Sequence, residues 1–518
     1  MKWNHAIAVL LTGTMLLTGL AGCGKAAEDT GSGEVKAPTA VKQAADVKAV
    51  DTFTLAYNEK DGLDPLTCSS SENQMLMPLC YESLFQLDDT FEPQPVLCDS
   101  MEQENTRSYN LTIRSGILFH SGQEMTVEDV VYSLNNARLR EDSVYQDKLS
   151  CISSVKYNDD EIHIRLYTSK SERELQALLD IPIFRKGSEE DEIPDGSGPY
   201  QFVRQDAALS LIPFEQWSGG KVGFCSSITL KSVSDSAGAA NLLSSGEISM
   251  LLQLDAEKEP ATGAKYTSSV PTTRLHYLGI NCDWAPLDEE DVRTALSMLM
   301  NRDMMVQTCF AGRADAASLP MVSIPESIEA PKYDKTAALE LLEDAGIYDR
   351  DSDGYLDVSS RQQFKLEIIY NEQYSTKGAV LEQYASTLNE AGIQTTVTPL
   401  SFEDCQSKLR RETFQIYYGE YAMTPDFDLS SIISDGGERN FGNFYSSDMQ
   451  DALSDLHEGE PEEYEETVED YLECFMEETP ILPIAFERNL ISSATKLPEG
   501  FDPWPNDIFH GIETWSAS

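Results

Sequence analysis

The chain has 518 residues, of which 88 are Asp or Glu and 38 are Lys or Arg, so its formal net charge at pH 7 is −50. A surface this acidic repels phosphate, which argues against nucleic acid as a partner. The length exceeds what one hydrophobic core usually organises and predicts at least two lobes.

The first 22 residues have the pattern of an export signal. Lys2 precedes an apolar run over residues 6–20 that is too short to span a bilayer comfortably. The run closes on Leu20-Ala21-Gly22-Cys23, which resembles the lipobox of bacterial lipoproteins. We expect residues 1–22 to be removed and Cys23 to carry the lipid that anchors the chain outside the cytoplasmic membrane. An ordinary signal peptide followed by a chance cysteine is the alternative.

Residues 23–48 have the composition of a flexible tether. They are mainly Ala, Gly, Ser, Thr, Lys and Glu, with no aromatic residue and no apolar periodicity, so they cannot bury a core. No later segment contains eighteen consecutive apolar residues, and we expect everything after Cys23 to be soluble.

The first part of the folded region alternates strand and helix patterns. A capping box at Thr126 predicts a helix start, and Gly246 predicts a helix stop. Helix periodicity over residues 73–85 predicts one helix in which Pro78 makes a bend or begins a turn. Strands are predicted over residues 53–57, 109–114, 152–157, 161–167, 201–203 and 249–254.

The second part repeats a strand, helix, strand order, which predicts right-handed crossovers and a largely parallel sheet. The predicted strands are 275–282, 364–370, 394–397 and 481–485, and the predicted helices are 290–300, 333–345 and 379–391. The pattern predicts a first lobe with an extra subdomain over residues 49–273, a second lobe over residues 274–480, and a return to the first lobe over residues 481–518.

Nine cysteines remain after Cys23, and an odd number cannot all pair. They are spread singly, with no Cys-x-x-Cys, so neither a zinc site nor a redox motif is predicted. Most lie in apolar surroundings and are expected to pack as small buried hydrophobic side chains. For an exported protein this suggests an anaerobic habitat, a hypothesis that counting free thiols under denaturing conditions would test.

Asp349-x-Asp351-x-Asp353-Gly354 resembles the first half of a calcium loop. The twelfth position is Ser360 rather than the bidentate glutamate, so a plain solvated turn is the favoured interpretation and calcium is the alternative. Five histidines remain after cleavage and they form no cluster in the sequence. No metal or other cofactor is therefore predicted.

An ordered set of motifs across residues 50–500 resembles the extracellular solute-binding proteins of the dipeptide, oligopeptide and nickel ABC importers. The matching pieces are Ala56-Tyr57-Asn58, Leu63-Asp64-Pro65-Leu66, Tyr81-Glu82-Ser83-Leu84-Phe85, Phe119-His120-Ser121-Gly122, Gly196-Ser197-Gly198-Pro199-Tyr200, Asp291-Val292-Arg293-Thr294-Ala295 and Asn301-Arg302-Asp303.

This resemblance implies a two-lobe, periplasmic-binding-protein-like α/β fold of type II, in the large peptide-binding subclass, with a hinge between the lobes. It implies that both ends of the chain contribute to the first lobe and that ligand binding closes the lobes. A transmembrane ABC permease is the implied partner, and a monomer is expected.

The resemblance also points to a candidate ligand site. Peptide-binding relatives hold the peptide ammonium with an aspartate in a loop resembling Trp-x-x-Asp-x-x-Asp-Pro. Here Met423 stands at that aspartate, Asp426 matches the second one and Phe427 replaces the proline. Either Glu420 or Asp426 supplies the negative charge, or the ligand lacks a free amine and is held by aromatic and neutral groups. The candidate cleft residues are Asn73, Trp284, Tyr418, Glu420, Met423 and Asp426.

The predicted function is that of a lipid-anchored substrate-binding component of an ABC importer, with an oligopeptide as the expected cargo. The alternatives are a receptor for a non-peptide ligand, such as a metal chelate or sugar, and a sensory or non-transport lipoprotein. An enzyme is not expected because the sequence contains no Gly-x-Ser-x-Gly, no His-Glu-x-x-His and no phosphate loop.

Overall fold

The computed structural model describes residues 49–50, 52–189, 191–206, 208–254, 259–373 and 375–517. The predicted signal segment and the whole of the predicted tether, including Cys23, lie outside the described residues.

The described residues of the first part of the chain form helices and strands in alternation, with most of the strands in two four-stranded sheets. In chain order its elements are β1 (Phe53–Asn58), α1 (Ser71–Gln74), α2 (Met77–Cys80), β2 (Phe85–Leu87), β3 (Pro93–Pro95), β4 (Cys98–Asn105), β5 (Ser108–Ile113), α3 (Val127–Leu139), β6 (Ile152–Asn158), β7 (Glu161–Leu166), α4 (Glu172–Leu178), β8 (Tyr200–Gln205), β9 (Ala208–Pro213), β10 (Ile228–Val233), α5 (Ser236–Ser245) and β11 (Met250–Gln253).

The second part begins with a long strand and ends with another. Its elements are β12 (Tyr266–Ile280), α6 (Glu290–Met298), α7 (Arg302–Cys309), β13 (Ala314–Ala316), α8 (Lys335–Asp344), β14 (Asp357–Ser359), β15 (Gln362–Gln363), β16 (Lys365–Asn371), α9 (Ser375–Glu390), β17 (Gln394–Leu400), α10 (Phe402–Arg410), β18 (Ile416–Ala422), α11 (Ser430–Ile433), α12 (Ser447–Glu458), α13 (Tyr464–Glu478) and β19 (Ile481–Ser493), followed by a 3₁₀ turn (Ile512–Thr514).

Most local predictions agree with these elements. Thr126 and Asp129 form the capping box at the start of α3, and Gly246 ends α5 in the left-handed conformation with φ 72°. The single helix predicted over residues 73–85 is wrong, because Pro78 lies in the first turn of a second helix. Proline lacks the N–H that a continuous helix would need there, so the chain forms α1 and α2 and then enters β2.

Two four-stranded sheets and the two-stranded β2-β3 sheet belong to the described residues of the first part of the chain. One four-stranded sheet has the order β1-β10-β9-β8, in which β1 and β10 are parallel, and the second has the antiparallel order β4-β5-β7-β6. Helix α3 packs against β6 and β7 of the second sheet.

A seven-stranded sheet dominates the second part, with the order β11-β19-β12-β18-β16-β17 and β13 paired to β19. The prediction of a largely parallel sheet is wrong. Only β16 pairs in parallel, with β17 and with β18, while β12 and β19 pair antiparallel to each other. The chain leaves the first part along β12 and returns along β19, so these two strands must run in opposite directions.

Strands β12 and β19 connect two separate hydrophobic cores. Val270 and Ile491 are buried in the first core, whereas Leu278 and Leu482 are buried in the second. A third core lies mainly among the helices of the second part but also includes Leu87, Phe91 and Ala177 from the first part. Among the described residues, the two parts contact each other along the paired long strands and through the third core.

None of the helices in the part of the chain that the structure describes is both long and apolar enough to cross a membrane.

Candidate functional site

The second contact between the two parts has an aromatic centre. The Phe427 ring packs edge-on against Phe91, with ring centroids 5.3 Å apart, and against Phe486 at 5.9 Å. We call this contact the seam and define it as residues 87–92 and 169–177 of the first part facing residues 421–431 and 457–468 of the second.

A cavity of about 540 Å³ opens in the seam. Its volume falls within the range of small-molecule sites in proteins. Both sides of the seam line the cavity, which means that a molecule inside it would contact both parts of the chain. The lining residues are Thr90, Glu92, Ser171, Glu172, Arg173 and Gln176 from the first part and Met321, Ser323, Ile324, Pro325, Phe427, Pro461, Glu462, Tyr464, Glu465 and Val468 from the second.

One wall of the cavity carries an ordered cation. Arg173 contacts Glu92 at 2.6 Å, donates to the Tyr464 hydroxyl at 3.2 Å and lies over the Tyr464 ring. Burial and, to a smaller extent, the charge of nearby Glu462 together raise the pKa of Glu172 to about 7. Glu172 is therefore partly protonated near neutral pH.

The local sequence around α4 builds the deeper layer of the seam. Ser171 caps α4, and its backbone N–H and hydroxyl donate to one oxygen of Glu174 at 2.8 and 3.1 Å. This capping box holds the Glu174 carboxylate fully buried at the start of the helix. Its second oxygen therefore faces the second part of the chain.

Lys170 precedes this cap and lies at the centre of an ionic cluster. Its Nζ contacts an oxygen of Asp426 and an oxygen of Asp428, both at 2.7 Å, and Glu174 at 3.6 Å. The Lys170 side chain is 5% exposed and that of Asp426 is 2% exposed. We call Lys170, Glu174, Asp426, Asp428 and His457 the seam cluster.

Both Lys170 and Asp428 are held in their charged forms. Burial lowers the pKa of Lys170, but the carboxylates of Asp426, Glu174 and Asp428 outweigh it and raise that pKa well above its ordinary value. Burial raises the pKa of Asp428, but Lys170 and His457 outweigh it and the pKa is lowered. Each ion offsets the cost of burying the other.

His457 closes the cluster from α12. Its Nδ1 contacts the second oxygen of Glu174 at 2.7 Å, and its Nε2 faces the Ser430 hydroxyl at 3.3 Å and Asp428 at 3.7 Å. Burial lowers the pKa of His457, but Glu174 outweighs it and raises the pKa. With His457 protonated, two cations face three carboxylates.

Glu420 lies in a different network, on the β18 face that also carries Tyr418. Its carboxylate contacts Lys377 Nζ at 2.7 Å and His276 Nδ1 at 3.6 Å. His276 is opposite Glu420 in the register of β12 and β18, and its Nδ1 is 2.7 Å from the Tyr418 hydroxyl. Lys377 lies 5.8 Å from the centre of the Tyr418 ring.

Asn73 and Met423 are buried in the structure. The Asn73 amide accepts from the backbone of Asn58 at 2.7 Å and donates back to it at 2.9 Å, which fixes the turn after β1. Met423 is buried in the third core, and its backbone pairs with Thr273. Both side chains are used in packing or in holding a turn.

Trp284 lies away from the seam. Its side chain is 46% exposed on the loop after β12. It lines a separate opening of about 640 Å³ together with Asp351 and residues 360–363. Of the six residues singled out from the sequence, the structure therefore brings Tyr418 and Glu420 together and gives Asp426 a position in the seam cluster.

Five residues of the two ionic networks were not predicted from the sequence: Lys170, Glu174, Asp428, His457 and Lys377. The pattern Ser171-x-x-Glu174 is that of a capping box, so the sequence could have indicated a helix start that fixes the Glu174 side chain. The pairing of Lys170 with Asp428 spans 258 positions of the chain, and no local pattern encodes it.

The acidic turn at residues 349–354 brings the carboxylates of Asp349, Asp351 and Asp353 within 4.8 Å of one another, all exposed. Backbone N–H groups of Asp353 and Gly354 donate to Asp349 at 3.2 and 3.0 Å, as in a plain turn. All nine cysteines after Cys23 are free thiols and five of them are buried, which agrees with their predicted packing.

Comparison with known proteins identifies the family. Residues 92–442 match the model of the bacterial extracellular solute-binding proteins, family 5, middle region. The chain belongs to this family. The match covers more than half of the chain, including the seam cluster up to Asp428. This solute-binding protein is thus the capturing component of an ABC importer and not an enzyme, as predicted.

Individual relatives agree with this assignment. The glutathione-binding protein GsiB of Salmonella typhi is 23% identical over 483 residues, covering 86% of this chain and 91% of the relative. GsiB of Escherichia coli K12 is 24% identical over 504 residues, covering 91% and 95%.

Solved structures agree on the fold. The murein tripeptide binding protein MppA in its unliganded open form has a TM-score of 0.75 at 16% identity and covers 92% of this chain and 99% of its own. A nickel ABC transporter protein of Bacillus halodurans has a TM-score of 0.73 at 17% identity, covering 88% and 98%. The solute-binding protein therefore has the two-lobe α/β fold expected from its sequence motifs.

Proposed function

We propose that this solute-binding protein captures a small peptide and encloses it in the seam between its lobes. The cavity of about 540 Å³ carries the proposal, because residues from both sides of the seam line it. A ligand that touches both sides binds the closed arrangement more tightly than an open one and shifts the population toward closure. The wall formed by Arg173, Tyr464 and Gln176 offers hydrogen-bond donors and an aromatic ring to such a ligand.

The names of the relatives support a peptide cargo. GsiB is a glutathione-binding protein, MppA binds a murein tripeptide, and a solved neighbour from Bacillus subtilis, AppA, is in complex with a nonapeptide. AppA has a TM-score of 0.55 and 19% identity, and it covers 91% of this chain and 99% of its own.

Within this proposal, the first lobe comprises residues 49–273 and 481–518 and the second comprises residues 274–480. The boundary at Thr273 falls inside β12, and the return at Ile481 coincides with the start of β19. Rotation about these two strands would open the seam. None of the six residues chosen from the sequence is among the described residues that line this cavity; Asp426, the chain neighbour of the lining residue Phe427, lies nearest to it and is the one of the six that we keep as part of the proposed site.

The cargo can be tested with protein that begins at Gly24. Native mass spectrometry would detect a co-purified ligand, and small-angle scattering would detect closure upon its return. We expect di- to tetrapeptides or glutathione to bind and to reduce the radius of gyration. Binding of only a nickel–histidine complex or a sugar from the same panel would contradict a peptide cargo.

We also propose that a lipid at Cys23 anchors the protein to the membrane and that it acts there as a monomer. The sequence Leu20-Ala21-Gly22-Cys23 supports the anchor. Labelled palmitate should enter the wild-type protein and a Cys309→Ser control, and it should not enter Cys23→Ala. Label in Cys23→Ala would contradict the proposal. Light scattering of the protein that begins at Gly24 would measure its mass in solution.

A further inference from the structure

We propose that Lys170 is a built-in ammonium group that occupies Asp426 and Asp428, so that the cargo is selected without binding an ammonium group of its own at these carboxylates. This inference rests on the proposed capture of a peptide in the seam. It narrows the cargo to peptides whose N terminus is blocked, cyclised or directed away from the seam cluster.

The contacts of Lys170 use the hydrogen-bonding capacity of the ammonium group. An ammonium has three N–H donors. Asp426 and Asp428 each approach Nζ to 2.7 Å, and Glu174 lies 3.6 Å away. With 5% of its side chain exposed, Lys170 is surrounded by protein rather than by water.

Both carboxylate oxygens of Asp426 are also engaged in contacts. One of its oxygens receives the Lys170 ammonium, and the other accepts from the Thr424 hydroxyl. Asp428 accepts from Lys170 with one oxygen and from the Ser430 backbone N–H at 2.7 Å with the other. A second ammonium could reach these carboxylates only by displacing Lys170 or by lying beside another buried cation, which is repulsive.

The ion pair of Lys170 and Asp426 lies close in the chain to residues of the seam cavity. Ser171 and Phe427 both line the cavity, and each is the chain neighbour of a residue in the pair. Lys170 and Asp426 are therefore next in the chain to two residues of the cavity wall, although they are not among its lining residues. Lys170 belongs to the first part of the chain and pairs with Asp426 and Asp428 of the second part, so it already supplies the positive charge that the ammonium group of a cargo would bring.

The Glu420 network repeats the arrangement. The Glu420 carboxylate has the Lys377 ammonium at 2.7 Å and the His276 ring beside it at 3.6 Å. Both acidic residues that the sequence offered for an ammonium clamp thus have a lysine of the same chain as an ion-pair partner. Two independent pairings of this kind favour recognition of the cargo by other groups.

The first test compares peptides that differ only at the N terminus. Wild-type protein from residue 24 is titrated by calorimetry with peptides of the co-purified sequence, or with a tripeptide library, each in free and N-acetylated form. We expect the two affinities to agree within about threefold. Lys170→Ala should bind the free form at least about tenfold more tightly than the acetylated form.

A second test needs no peptide. Lys170→Ala leaves space for a propylammonium ion next to Asp426 and Asp428. We expect n-propylammonium to raise the melting temperature of this variant, whereas 1-propanol should not. Lys231→Ala, which breaks the exposed pair with Glu247, is the matched control and should not respond. Lys170→Met, which fills the space, should respond less than Lys170→Ala.

The outcomes separate the two proposals. Wild-type preference for the free peptide by more than about tenfold overturns the role of Lys170 and leaves peptide capture intact. Failure of propylammonium to stabilise Lys170→Ala more than Lys231→Ala also overturns it. Rescue by propylammonium in a protein that binds no peptide of the panel supports the ammonium role and contradicts the peptide cargo.

Discussion

Substitution of Lys170 by Met should be among the most destabilising single changes in the seam. The methionine keeps most of the apolar stem but removes the ammonium, so Asp426 and Asp428 lose their shared cation. The remaining cluster has one cation, His457, against three carboxylates. Removing one partner of a buried ion pair costs about 3–5 kcal/mol, because it leaves buried charge without compensation.

Glu174→Gln should cost less, although Glu174 is the more deeply buried residue. The glutamine removes one negative charge and leaves Lys170 and His457 facing Asp426 and Asp428, which is a balanced set. Its side-chain oxygen can still accept from Ser171 and keep the cap of α4. We expect about 1–3 kcal/mol from the altered contact with His457.

The comparison can be made by urea unfolding of wild type, Lys170→Met, Glu174→Gln and the exposed-pair control Lys231→Met. Fluorescence and far-UV circular dichroism are recorded together, because two lobes can unfold separately. The control should lie within about 1 kcal/mol of wild type. A Lys170→Met variant that is as stable as the control, or more stable than Glu174→Gln, would refute the charge balance derived for the seam cluster.

Three further predictions concern other parts of the molecule. Because the folded-state pKa of His457 is raised, its pairing with Glu174 contributes stability that is fully present below about pH 6.5 and is lost as pH rises through the raised pKa. The melting temperatures of wild type and His457→Gln should therefore differ most at pH 5.5 to 6.5 and converge at higher pH; a constant difference would contradict this. A Cβ at Gly279 would lie 2.0 Å from the buried Tyr417 ring, so Gly279→Ala should lower the free energy of unfolding by about 1–3 kcal/mol through overpacking. The control Gly238→Ala, whose Cβ would have its nearest contact at 3.4 Å, should not lose stability when both variants are compared by urea unfolding. A protein that begins at Gly24 should react with nine equivalents of thiol reagent in denaturant and with fewer when folded, since five of its cysteines are buried; nine fast equivalents in the folded state would contradict the burial.

The sequence could predict elements that depend on neighbouring residues. The capping box at Thr126 and the glycine that ends α5 act within one turn, and both are found where the pattern indicates. Motif order along the chain indicated the family and its two-lobe fold. These features follow from local conformational propensity and from residues that are close together in the sequence, so they can be recognised before the fold is known.

The tertiary structure decided the features that depend on distant partners. The antiparallel return of β19 beside β12 combines with the parallel pairs of β16 to make the large sheet mixed. The approach of α4 to α12 in the folded chain brings Glu174 to His457. Asp426 looks like a group available to a ligand when its loop is considered alone. The fold supplies Lys170 as its partner, because ion pairing acts through space and the chain folds these distant segments against each other.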